Sequence, residues 1–257
     1  MPKNIIITIL LVFIATTSSC FASSSSNLDK AINLFNQGSY DKALKIFKSE
    51  VEEIISRTEP NKRMAESDLR NLMASFKYLG LSYKLKNQYD LAIKNFNHLY
   101  IDSSTYCSAY YLGEIYHLKN EIRYAAAYWR GVFEPAYDTE CMPHAFVMRY
   151  LTLKSVDDGI AEQFLKEPHA RLFELPRAVK LIDYLRNEIT AEKLIETTKN
   201  TDDKIFAYYV IGRNLLFTRK PEDLKTAKKY FEKALATNCR HCIGYDLSEK
   251  ELKKLSQ

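Results

Sequence analysis

Phe76-Lys77-Tyr78-Leu79-Gly80-Leu81-Ser82-Tyr83, followed by Ala92-Ile93-Lys94-Asn95-Phe96, decides the fold of this chain. The same order of residue types returns 33 positions later as Ala109-x-x-Leu112-Gly113-x-x-Tyr116, with Ala125-x-x-x-Trp129 behind it. A third copy reads Tyr208-x-x-Ile211-Gly212-x-x-Leu215 and then Ala227-x-x-x-Phe231. Residues three and four apart share one face of a helix, so Leu79, Gly80 and Tyr83 form a packing face. Glycine carries no Cβ, which lets a second helix cross it closely. Ala92 is the small partner on that second helix, and Phe96 fills the space beside it. Repetition at this period predicts stacked helix pairs, an architecture that builds a surface and not a reaction centre.

The pattern resembles the tetratricopeptide repeat, whose period is about 34 residues. The likeness is strongest over residues 76–139 and half-kept in Gly38-x-Tyr40-x-x-Ala43-x-x-x-Phe47. In the last copy about three extra residues, around Arg219 to Asp223, precede Ala227. The resemblance implies an all-α, right-handed solenoid of antiparallel helix pairs. It also implies that ligands lie in a concave groove lined by the first helix of each pair. Transferred position by position, that groove takes Lys77, Leu81 and Lys84 from one repeat and Tyr110, Glu114 and His117 from the next. His144 and Met148 follow, and the last repeat adds Tyr209, Arg213 and Phe217. This mixture of aromatic and mostly basic groups suits a protein or peptide partner of some acidic character. The lysine-asparagine-arginine clamp with which some family members hold a terminal carboxylate is not reproduced.

The amino-terminal end reads as an export signal. Lys3 precedes an apolar run from Ile5 to Ala15, and small residues end in Cys20-Phe21-Ala22. Cleavage after Ala22 is the favoured reading and lipidation at Cys20 the rival. Residues 1–22 are thus expected to be a signal peptide and 23–26 a linker. Residues 27–139 then carry three repeats, 140–200 degenerate helical pairs, and 201–257 a last repeat with a capping helix from Leu247 to Leu255. Ser248-x-x-Glu251 is expected to start that helix as a capping box. The chain is expected in the periplasm, touching a membrane only through a lipidated terminus. A net charge of +5 is too mild to argue for nucleic acid.

Four cysteines follow the signal, an even number that suits an oxidising compartment. Cys107 and Cys141 stand 34 apart at equivalent places in neighbouring repeats. A bridge between them needs local tilt, since adjacent helix axes lie about 8–10 Å apart and a disulfide wants Cα atoms within about 7 Å. Cys239-Arg240-His241-Cys242 favours a local disulfide, with thiol-redox chemistry or metal binding as the alternative. A zinc set drawn from Cys107, Cys141, His144 and His117 matches no known ligand spacing, so neither metal nor cofactor is expected. Asp157-Asp158 and Asp202-Asp203 sit at helix starts, where acids cap orphan N–H groups. Lys225, Lys228, Lys229 and Lys233 form one basic helix face, expected on the convex side. Phosphate-cradling glycine loops, His-Glu-x-x-His and Gly-x-Ser-x-Gly are missing. The expected function is a non-catalytic scaffold that holds a protein partner.

Overall fold

The computed structural model describes residues 26–59, 62–100, 107–132, 141–167 and 175–257. The expected signal segment at 1–22, Cys20 and most of the expected linker lie outside the described residues. Among the described residues the chain forms thirteen helices and no strand. In order they are α1 (Ser26–Asn36), α2 (Tyr40–Arg57), α3 (Glu66–Leu85), α4 (Tyr89–Tyr100), α5 (Ser108–Leu118), α6 (Ile122–Gly131) and α7 (Met142–Lys154). Then come α8 (Asp158–Lys166), α9 (Pro176–Leu185), α10 (Ala191–Thr197), α11 (Thr201–Thr218), α12 (Pro221–Leu235) and α13 (Tyr245–Leu255). None of them is long and apolar enough to cross a membrane.

Helices pair in sequence order, α1 with α2 through α11 with α12, and from α1 to α8 each also packs on the next. The glycines explain the close pairs. A Cβ built on Gly80 would stand 2.6 Å from the Phe96 ring, and one on Gly212 would stand 2.5 Å from the Phe231 ring. A Cβ on Gly113 would run into the Trp129 indole. So the aromatic residue of each second helix, not the alanine alone, lies flat over the glycine of the first. Ala92, Ala125 and Ala227 are fully buried beside them. Neighbouring pairs join through rings: Phe47 stacks on Tyr78 at 5.2 Å, and Phe96 on Tyr111 at 4.9 Å. Leu79, Tyr83 and Leu112 are buried as the pattern requires, while Tyr116 lies half-buried and stacked on Tyr128.

Four of the six turns inside the pairs obey one rule. Gly38, Asn87, Asn120 and Asn187 all adopt positive φ, at 79°, 57°, 63° and 62°. The N–H of the following residue reaches back to the carbonyl five before it: Ser39 to Leu34, Gln88 to Tyr83, Glu121 to Tyr116 and Glu188 to Asp183, all at 2.8–2.9 Å. This is the Schellman closure, and asparagine tolerates its left-handed residue better than most. Asn187-Glu188-Ile189 therefore repeats Asn120-Glu121-Ile122 inside the stretch 140–200, where the Leu-Gly signature is gone. That stretch folds as two pairs, α7 with α8 and α9 with α10, and α7 also packs directly on α11.

One sequence expectation is met and one is overturned. Cys107 and Cys141 are bridged with Cα atoms 5.5 Å apart, closer than the spacing of helix axes. Both are N-cap residues, where the chain has left the helix cylinder, and Cys107 turns left-handed at φ 54°. Ser248 does not cap α13: the helix begins at Tyr245, and the Ser248 hydroxyl donates back to the Gly244 carbonyl at 2.7 Å. Of the paired acids only the first pair caps as expected; Asp202 and Asp203 stand in the first turn of α11 behind an asparagine cap. Asp157 caps α8 through the Ile160 N–H at 2.9 Å, while Asn200 caps α11 by accepting from the Asp203 N–H at 2.7 Å.

Candidate functional site

α3, α5, α7 and α11 carry the residues expected to line a groove, and α13 reaches across α3, α5 and α11. Gly244, at φ 94°, makes this possible. A Cβ there would stand 3.1 Å from the Phe206 backbone, so the loop crosses α11 tightly before turning into α13. α13 packs on α12 and α11 as a terminal helix should. Its other contacts reach the opposite side of the stack. Asp246 meets Lys84 of α3 at 3.3 Å, and Glu251 meets Arg213 of α11 at 3.3 Å. Lys250 donates to the His117 carbonyl at 2.6 Å and to the Leu118 carbonyl at 3.1 Å, at the carbonyl end of α5. A cation is favoured at that end of a helix.

Leu81, Lys84, Tyr110, Glu114, His117, His144, Met148 and Tyr209 are buried, against the expectation of an open groove; α13 meets Lys84 and the end of α5 at His117, while His144 is buried against α11 through Phe206. Lys77, Arg213 and Phe217 remain half-buried. At the centre Lys84 and Glu114, each with about 1% of its side chain exposed, pair at 2.9 Å. Burial works against the Lys84 ammonium, yet the carboxylates of Glu114 and Asp246 outweigh it and hold the pKa above the ordinary lysine value. Burial raises the Glu114 carboxyl, with Lys84 opposing. Burial, with Lys250, Arg213 and Lys254 adding to it, pushes His117 down to about 3. Lys250 itself falls to about 8, chiefly through burial and then Lys254.

This interior is incompletely paired. Glu114 Oε1, the Tyr110 hydroxyl and both His117 ring nitrogens find no hydrogen-bond partner among the described residues. Buried polar groups are ordinarily paired, so a cluster of exceptions marks a functional surface or one that holds water. His144 packs edge-on against Phe206 at 4.6 Å, and burial pushes its pKa down to about 4 despite Asp203 nearby. It borders a cleft of about 600 Å³ between α7, α9, α10 and α11, which Arg177 and Lys180 also line.

Among the described residues His117 and His144 do not join the Cys107–Cys141 bridge in a group of metal-ligating atoms. Among the described residues, Cys239, His241 and Cys242 bring their ligand atoms within 4.8 Å of one another. Cys239 and Cys242 are bridged, with Cα atoms 5.4 Å apart. Lys225, Lys228, Lys229 and Lys233 are exposed on α12. The seating of α13 was not legible beforehand. Its one sequence signal was Gly244, which reverses the chain, together with acids placed to meet Lys84 and Arg213. No protein-family model matches the chain, and no curated protein matches it.

Proposed function

We propose that the chain is an exported, tetratricopeptide-like right-handed solenoid that acts in the cell envelope by holding a protein partner on its inner face, without catalysis. α13 is the resident occupant of that face in the free protein. The observation that carries the reading is the inner surface itself: α13 engages it through Asp246, Lys250 and Glu251 but leaves Glu114 Oε1, the Tyr110 hydroxyl and His117 unpaired. Unsatisfied buried polar atoms cost about 1–3 kcal/mol each, a cost that a better-matched ligand relieves. A partner helix presenting an acid, then a base and an acid four and five residues on, would copy the contacts of α13 and compete with it.

The test is capture from the cell envelope with the full chain and with an Asp246→Ala/Glu251→Ala variant, which loosens α13. The reading expects the variant to retain more of a specific partner, and a synthetic peptide of residues 243–257 to displace it. A partner retained equally by both proteins and indifferent to the peptide places docking elsewhere.

A further inference from the structure

The loop after α12 holds three donor groups, and the start of α11 a fourth, that neither the stacking of helices nor the inner face uses. Cys239 Sγ lies 3.5 Å from His241 Nε2 and 3.9 Å from Asp202 Oδ1, the latter brought in from the first turn of α11. Cys242 is the third donor of the loop. Its N–H donates to the Cys239 carbonyl at 3.1 Å, which curls both cysteines to the same side of the turn. In a tetrahedral zinc site, metal–sulfur bonds of about 2.3 Å and metal–nitrogen or metal–oxygen bonds of about 2.0–2.2 Å set neighbouring ligand atoms roughly 3.4–3.8 Å apart. The Cys239–His241 and Cys239–Asp202 separations fall at or near that edge length; Cys239, His241 and Cys242 gather their ligand atoms within 4.8 Å of one another, and the Asp202 carboxylate turns in to complete the set. A Cα separation of 5.4 Å joins the two cysteines in a disulfide and leaves them within reach of one metal ion when the bond is open.

We propose that Cys239, Cys242, His241 and Asp202 form a redox-gated zinc site. In the oxidised form the two sulfurs are joined and the site is closed. An external dithiol reductant supplies two electrons and two protons: the S–S bond breaks, two thiols form, and the reductant leaves as its own disulfide. Zn²⁺ then displaces both thiol protons and binds two thiolates, one imidazole nitrogen and one carboxylate oxygen. This donor set, two soft sulfurs with a nitrogen and an oxygen, suits zinc and not the hard cations. The site stands where α1 meets the loop after α12, since His241 also lies 5.4 Å from the Phe35 ring of α1. It does not depend on the partner-binding reading, and either can fail alone.

The experiment is zinc titration of the full-length, metal-free protein against a chromophoric chelator, before and after reduction with a phosphine. Retained helicity is checked by circular dichroism. The proposal expects one zinc per chain after reduction and none before. His241→Ala and Asp202→Asn should each weaken binding about tenfold or more, as loss of a metal-site group does. Cobalt(II) in the reduced protein should give tetrahedral thiolate bands that Cys242→Ser removes. Reduction also frees Cys107 and Cys141, so the His241 and Asp202 variants decide which pair binds. Zinc uptake unaffected by both substitutions, or none by the folded reduced protein, overturns the proposal. Should full reduction unfold the chain, a mild reductant that opens only the more accessible Cys239–Cys242 bridge, checked by thiol alkylation and mass spectrometry, leaves Cys107–Cys141 closed for the cobalt measurement, and a spectrum without thiolate bands there overturns it equally.

Discussion

A methyl group at Gly80 would collide with the Phe96 ring, which can retreat only by opening the α3–α4 contact. Gly80→Ala is therefore expected to lower unfolding free energy by about 1–3 kcal/mol in urea denaturation, the usual cost of overpacking. Gly159→Ala is the control. It sits in the first turn of α8, where a Cβ crowds only the Asp157 side-chain oxygen, at 3.2 Å, a few tenths of an ångström inside ordinary contact. Alanine's better helix propensity should leave that variant as stable as the parent or slightly more so. The Lys84–Glu114 pair makes a second test. Lys84→Met strands a buried carboxylate and should cost about 3–5 kcal/mol, whereas Lys84→Met/Glu114→Leu should recover most of the loss. A double variant no better than the single one would mean that the pair is not buried as described. Tyr110 changes standing for the same reason. Being fully buried, it makes Tyr110→Ala a core truncation of about 3–5 kcal/mol, and not a clean probe of binding.

Between elements, the Cys107–Cys141 bridge fastens the start of α5 to the start of α7 across 34 residues. Closing a loop of that length in the unfolded chain stabilises the fold by about 4 kcal/mol, against about 2 kcal/mol for a short loop like that of Cys239–Cys242. Cys107→Ala/Cys141→Ala should accordingly lower the thermal midpoint more than Cys239→Ala/Cys242→Ala, read by calorimetry. The helix pairs themselves were legible because Gly80, Gly113 and Gly212 stand where only glycine fits. The pair α9–α10 was visible only as a stripe of leucine and isoleucine. Its link to the rest lies in Asn187, a turn residue whose signal is conformational and not hydrophobic. The position of α13 was not legible in outline. Periodicity reports which face of a helix is apolar, and it does not report which of several distant faces will cover it. Asp246, Lys250 and Glu251 read as ordinary surface charges until Lys84, the end of α5 and Arg213 are seen opposite them.

At the scale of the molecule, the stack returns on itself and shields ionisable groups that would otherwise titrate in mild acid. His117 and His144 are held at about 3 and about 4, while an unfolded chain titrates histidine near 6.5. Partial burial lowers His98 and His241 as well. Below about pH 6.5 the unfolded chain takes up protons that the folded chain refuses. The stability these histidines contribute is thus complete above pH 6.5 and is lost as the pH falls toward 4. Each fully buried histidine can contribute up to about 1.4 kcal/mol per pH unit in that window. The urea midpoint should fall from pH 7 to pH 5, and His117→Gln/His144→Phe should flatten the slope; a parent already flat over that range would remove the argument. The covering of the inner face by α13 is the central claim, and binding of a labelled peptide of residues 243–257 to the full-length protein tests it most directly. An Asp246→Ala/Leu247→Ala/Glu251→Ala variant, with its own helix loosened, should bind the peptide about tenfold or more tightly than the parent, because a tethered helix competes at high effective concentration. Adding Lys84→Ala should abolish that gain. Equal binding to parent and variant, or no binding to a folded variant, would contradict the account.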